Sequence, residues 1–185
     1  MAGVSGKETG PTRWWSKNRG LPTATYESWL SAVRAQPGRQ TRILAWAEAV
    51  NGVCIGSASL LSYASEAGWR HVGWHQIERG GWNAETRKLS WTTYDGGQDS
   101  VELVKAGRLP ELFRERVSAS IVVERFVPIA GERGVTVSGR RDLADSTATI
   151  TWHASLSRGL SWRTEGVQQA ADDALAELQR EYDPG

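Results

Sequence analysis

The chain has 185 residues, with 22 Lys and Arg against 21 Asp and Glu, for a formal net charge of +1. That length suits one domain or two small ones, and it can bury a sizeable core without disulfide staples. Cys54 is the single cysteine, which excludes an internal disulfide and a cysteine-based zinc cluster, and no apolar run reaches the ~18 residues of a membrane span.

The first twenty residues, MAGVSGKETGPTRWWSKNRG, lack the apolar centre of a signal peptide, so a soluble cytoplasmic protein is expected. Residues 1–22 show no periodicity and read as a flexible tail, with the Trp14-Trp15 pair as its one apolar feature. Tyr26, Trp29, Leu30 and Val33 then fall on one face of a short helix that Pro37-Gly38 stops.

Strands follow. Arg42–Ala49 and Val53–Tyr63 flank Asn51-Gly52, a hairpin signal because a type I′ turn needs positive φ at both positions. The second of these is small and apolar (VCIGSASLL), so it should lie deep, with close backbone approach near Gly56. Trp69–Val72, Gly73–Glu78, Gly80–Asn83, Lys88–Tyr94 and Ser100–Val104 continue the series, separated by turns. Many short strands with frequent turn signals point to an antiparallel sandwich or barrel.

The period then switches to 3.6. Leu109, Leu112, Phe113, Val117 and Ile121 form one apolar stripe, Pro110 sits near the first helical position, and Pro128 sets the latest limit. Two alternating segments follow, Gly134–Arg141 and Thr147–Ala154, joined by a turn at Asp142–Ser146. Thr164 is the expected N-cap of a last helix, which carries Val167, Ala170, Ala171, Ala174, Leu175 and Leu178 at helical spacing. The fold class read from this order is α+β. A β-sandwich or barrel closed by a helix (residues 23–123) is followed by a ββα module (residues 124–185), either separate or continuous with it.

About seven short strands closed by one amphipathic helix, over residues 41–123, resemble the pleckstrin-homology-like (PH/GRAM-like) family. RILAWA (Arg42–Ala47), VGWHQIERGGWN (Val72–Asn83) and GRLPELFRERVSASIVV (Gly107–Val123) are also similar to a group of uncharacterised bacterial proteins. The resemblance implies a bent antiparallel sandwich plugged by its C-terminal helix, and an adaptor that binds phosphoinositides, peptides or protein surfaces. The basic first hairpin of a phosphoinositide site is missing: Arg42–Tyr63 carries one base, Arg42, and one acid, Glu48.

Reactive constellations are sparse. His71, His75 and His153 are the three histidines, and two on one strand without a third ligand make a poor zinc site. Cys54 sits in an apolar run, where a thiol is inert packing. Neither a nucleophile elbow nor a phosphate-binding glycine loop is present. A non-enzymatic protein without cofactor or metal is expected.

Three binding readings remain. The first is a protein-interaction module that uses Arg13, Trp14, Trp15 and Arg19. Residues 1–40 carry +4 and residues 160–185 carry −4, so a basic arm and an acidic helix could meet across a homodimer. The second is RNA or single-stranded DNA binding through those tryptophans and Arg114, Arg116, Arg125, Arg140 and Arg141, since basic grooves with stacking rings bind single strands. The third is a small-molecule pocket lined by Trp69, Trp74, Trp82 and Trp91, four of ten tryptophans that are otherwise expected in the core.

Overall fold

Alternating apolar residues dominate the middle of the chain, and they fold as antiparallel strands covered by helices. A computed structural model describes residues 20–36, 39 and 41–182. The features read at Arg13, Trp14, Trp15 and Arg19, and the helix stop at Pro37-Gly38, lie outside the described residues.

The architecture is α+β. Helix α1 (Thr23–Arg34) precedes β1 (Ile43–Ala49), β2 (Gly52–Ser57), β3 (Leu60–Ser65) and β4 (Gly68–Gly73). A 3₁₀ turn at Trp74–Gln76 leads into β5 (Ile77–Asn83), β6 (Lys88–Thr93) and β7 (Gln98–Lys105). These strands form one sheet in the order β4-β3-β2-β1-β7-β6-β5. The sheet is not a closed barrel, because β4 and β5 stay edges joined through the 3₁₀ turn.

Burial on both faces explains the continuous apolar run of β2. Cys54 faces a core with Leu61, Trp74, Leu89, Trp91, Leu103 and the α2 residues Leu109, Leu112 and Phe113. Its neighbour Ile55 faces the opposite side, where Trp29 and Val33 of α1 pack with Leu21, Ile43 and Leu60. The close approach at Gly56 comes from α2 (Leu109–Ala119): a Cβ there would lie 2.5 Å from Leu112 Cδ2.

Three expectations about this sheet change. Gly73–Glu78 and Gly80–Asn83 are not two strands: Trp74–Gln76 forms the 3₁₀ turn, closed by Gln76 Oε1 accepting from Gly73 N–H, and Ile77–Asn83 is one strand, β5. Val53–Tyr63 is not one strand. The Ser57 hydroxyl accepts from Leu60 N–H at 3.1 Å and donates to Leu60 C=O at 3.2 Å, turning the chain without glycine or proline. The β1–β2 hairpin forms, but Ala49 pairs with Gly52, so the turn residues are Val50 and Asn51. Gly52 takes the positive φ, 127°, while Arg87 alone does so among described non-glycine residues, so the turn is not type I′.

The chain after α2 also differs from expectation. Ile121, read as the last residue of the helical stripe, begins a strand, β8 (Ile121–Ala130). Ser120 caps α2, and the β-branched run Ile121-Val122-Val123 is stiff at χ1 and favours a strand. The module is therefore βββα: β8 pairs with β9 (Arg133–Arg140), which pairs with β10 (Thr151–Leu156), and α3 (Val167–Tyr182) covers one face. Strand β10 starts at Thr151 rather than Thr147, because Asp145 accepts the Thr147 N–H and hydroxyl in a turn. Helix α3 starts after Gly166, at φ 78°, and Thr164 lies in the preceding turn rather than at the cap. No helix among the described residues is long and apolar enough to cross a membrane.

Candidate functional site

Strand alternation gives the three-stranded sheet two unlike faces. Val135 and Val137 of β9, with Ala154 and Leu156 of β10, pack beneath α3. The residues of opposite alternation, Ser138 and Arg140 of β9 with their partners His153 and Thr151 of β10, point the other way, as their pairing register requires. That polar face meets the rim of the seven-stranded sheet, where β4, the 3₁₀ turn and the β6–β7 hairpin end. Between the two lies a cleft of about 660 Å³, lined by His71, His75, His153, Tyr94, Trp91 and Arg70, among others.

Each wall is held by identifiable contacts. Ser62 and His71 are cross-strand partners, and Ser62 Oγ lies 2.8 Å from His71 Nδ1. The Nε2 of His71 is buried without a partner. Gly73 N–H donates to Gln76 Oε1 at 2.7 Å and closes the 3₁₀ turn. The His75 ring folds over Gly73, where a Cβ would lie 2.6 Å from its Cε1. Its Nδ1 is 3.6 Å from Asp142 Oδ1, too far for a hydrogen bond, and is also buried without a partner. Asp142 is instead gripped by Arg39, at 2.6 and 2.8 Å.

Across the cleft the Tyr94 ring stacks on His153 at 3.7 Å, with 7° between planes. The Tyr94 hydroxyl meets Ser138 Oγ at 3.0 Å, and the Arg140 guanidinium carbon sits 5.6 Å from the Tyr94 ring centre. The floor is a third cluster. Tyr63 donates to Asp99 at 2.5 Å, and Arg70 reaches the same carboxylate oxygen at 2.9 Å while lying over the Tyr63 ring.

Burial sets the protonation states. It is the main cause pushing all three imidazoles below their ordinary 6.5. The charges of Arg39 on His71 and His75, and of Arg140 on His75 and His153, push the same way, while Asp142 opposes them at His75. The rings are therefore neutral at pH 7. Burial, then the Asp99 carboxylate, pushes the Tyr63 phenol far up, so it stays protonated. Burial likewise pushes up the Cys54 thiol, which lies in the core away from the cleft.

The residues singled out in the sequence are distributed unevenly around this site. Of the four tryptophans read as a pocket lining, Trp91 lines the cleft. Trp74 is fully buried in the core, with its N–H donating to Ser57 C=O at 3.1 Å. Trp69 is bonded to Ser28 of α1, and Trp82 lies on β5. The five arginines do not converge. Arg114 is exposed on α2, Arg116 pairs with Glu115, Arg125 pairs with Glu177 and Glu181 of α3, Arg141 lies just past β9, and Arg140 is buried. His71, His75 and His153 line the same cleft, where the sequence placed only His71 and His75 together, on one strand. Tyr63, Tyr94, Arg70 and Asp99 had no sequence signal, since they come from four separate places in the chain: β3, the β6–β7 turn, β4 and β7.

Among the described residues no group of three His, Cys, Asp or Glu has the geometry of a metal site. Compared with known proteins, the chain matches no family model, no curated protein and no solved structure.

Proposed function

We propose that this chain is a non-enzymatic binding module, and that its ligand is a small polar molecule with a planar part, seated in the cleft between the two sheets. One observation carries the reading: His71 Nε2 and His75 Nδ1 are buried, lack hydrogen-bond partners and belong to residues that line the same cleft. Buried polar atoms are rarely left unpaired, so groups of this kind await a partner from outside the chain. The volume of about 660 Å³ falls in the range of small-molecule sites. The aromatic edges of Tyr63, Trp91 and Tyr94 suit a planar ligand.

Binding rather than catalysis is favoured by the state of the reactive groups. Tyr63 is held protonated, and Asp99 is occupied by Tyr63, Arg70 and the Ser100 N–H. The scatter of the arginines favours a small ligand over a nucleic-acid strand, which needs a continuous basic track. A PH-like identity for the seven-stranded sheet belongs to the same proposal. Its support is the strand order, with two runs meeting at β1 and β7, and an amphipathic helix packed directly after the last strand.

The test is proton NMR of the three histidine Hε1 signals, assigned with single His→Gln variants, during titration with a panel of polar aromatic metabolites. A saturable shift of two or more of these signals is expected. A panel that moves none of them overturns the reading.

A further inference from the structure

Arg140 is the buried cation of this junction: the residue is 3% exposed. Its Nη1 donates to neutral acceptors only, Val117 C=O at 3.0 Å and Ser120 Oγ at 3.1 Å. Its Nε is buried without a partner, and no carboxylate among the described residues pairs with it. A buried charge without a counter-ion is costly, and proteins normally pair or coordinate it.

The neighbouring carboxylates are already occupied. Asp142 holds Arg39. Asp99 holds Arg70 and Tyr63. Asp95 accepts from Thr93 and from the Gly97 N–H within its own turn. Arg140 does not itself line the cleft: its guanidinium carbon sits 5.6 Å from the centre of the Tyr94 ring, which does, and from there its charge reaches His75 and His153.

We propose that Arg140 makes the cleft selective for ligands that carry an anionic oxygen group, a carboxylate or a phosphate, seated among His71, His75 and His153. This rests on the cleft being a ligand seat. The ligand's anionic group then supplies the counter-charge across the Tyr94 ring, without touching Arg140. Each imidazole has a ring nitrogen to offer as a donor, and a bound anion stabilises the imidazolium form. Anion binding is therefore accompanied by proton uptake, and it tightens as pH falls toward the histidine range.

The experiment uses the full chain and three probes of similar size: benzoate, phenyl phosphate and the uncharged benzamide. The histidine Hε1 signals are followed near pH 7. Both anions are expected to bind at least about tenfold more tightly than benzamide, the scale of one charge-assisted contact. Benzoate over phenyl phosphate, or the reverse, identifies which oxygen group the seat prefers. Arg140→Met should erase the advantage over benzamide, and Arg140→Lys should keep part of it. Equal binding of benzoate and benzamide by the wild type overturns the anion proposal and leaves the ligand seat standing. No shift with any probe overturns both. Should Arg140→Met fail to fold, the wild type decides: benzoate keeps its charge throughout, so its affinity should rise several-fold from about pH 7.5 to about pH 6, and a flat response refutes the proposal.

Discussion

The seven-stranded sheet and the three-stranded sheet fill their interiors with different side chains. The larger one is packed with rings: Trp74 meets Phe113 edge-on at 5.9 Å, Tyr63 meets Trp91 at 5.1 Å, and Leu61, Leu89, Leu103 and Leu109 complete the core. The smaller one buries Val135, Val137, Val167, Ala171, Ala174 and Leu178, with Trp152 only partly covered. Its opposite face, carrying Ser138, Arg140, Thr151 and His153, is polar, so the two bodies meet through hydrogen bonds rather than a shared apolar core. A polar junction leaves room where an apolar one would close. The cleft is that room, so the ligand seat follows from which face of β9 and β10 the apolar residues occupy.

The difference can be broken most severely from the ring-packed side. Trp74→Ala removes a fully buried indole, its bond to Ser57 and its contact with Phe113, and should cost ~3–5 kcal/mol in urea unfolding. Leu178→Ala, in the smaller core, should cost ~2–3 kcal/mol, because its small neighbours can settle toward the gap. A loss at Leu178 equal to that at Trp74 would show that the two cores contribute alike, against the contrast drawn above.

A third substitution probes the junction itself. Tyr94→Phe deletes the hydroxyl that meets Ser138 and keeps the ring on His153. Removing one partly buried hydrogen bond should cost ~1 kcal/mol. It should also speed amide exchange in β10 more than in β2, since β10 is an edge strand and β2 lies inside the larger sheet. Equal exchange in both strands would mean that the junction does not hold β10 in place.

The architecture was more legible in the sequence than the site. Local signals located α1, the strands of the larger sheet and α3, because each is a period over a few residues. The failures are local too. Ser57 turns the chain with a hydroxyl where no glycine or proline marks it, and β8 was hidden because Ile121 fits both a helical stripe and a strand. The cleft failed for another reason. Tyr94 and Ser138 are 44 residues apart, and Arg39 and Asp142 are 103 apart. No period or spacing rule links positions so distant; only the docking of one sheet on the other does. The alternation Val135-Thr136-Val137-Ser138 was visible, and it implied a second, polar face for β9. What that face would meet was not encoded nearby.

The smallest effect expected is on stability against pH, and its sign follows from the histidines. Their folded values lie below 6.5, chiefly through burial. Above 6.5 both folded and unfolded chains hold neutral rings, and the histidines take nothing from stability. As pH falls through 6.5 the unfolded chain takes up protons first, so stability declines until the folded rings also titrate. The exposed carboxylates of Asp95 and Asp145 are held below their ordinary 3.8, so they act only at far lower pH and do not overlap this window. The melting temperature should therefore be level from neutrality up to the ordinary thiol value of 9.0, above which the raised Cys54 and Tyr63 also cost stability, and fall on mild acidification. The rings are only partly buried, and solvent screening keeps the fall shallow. Replacing His75 and His153 with Gln should flatten the slope, because these two share the field of Arg140 at the junction. An unchanged slope in that double variant would place the acid sensitivity elsewhere in the chain.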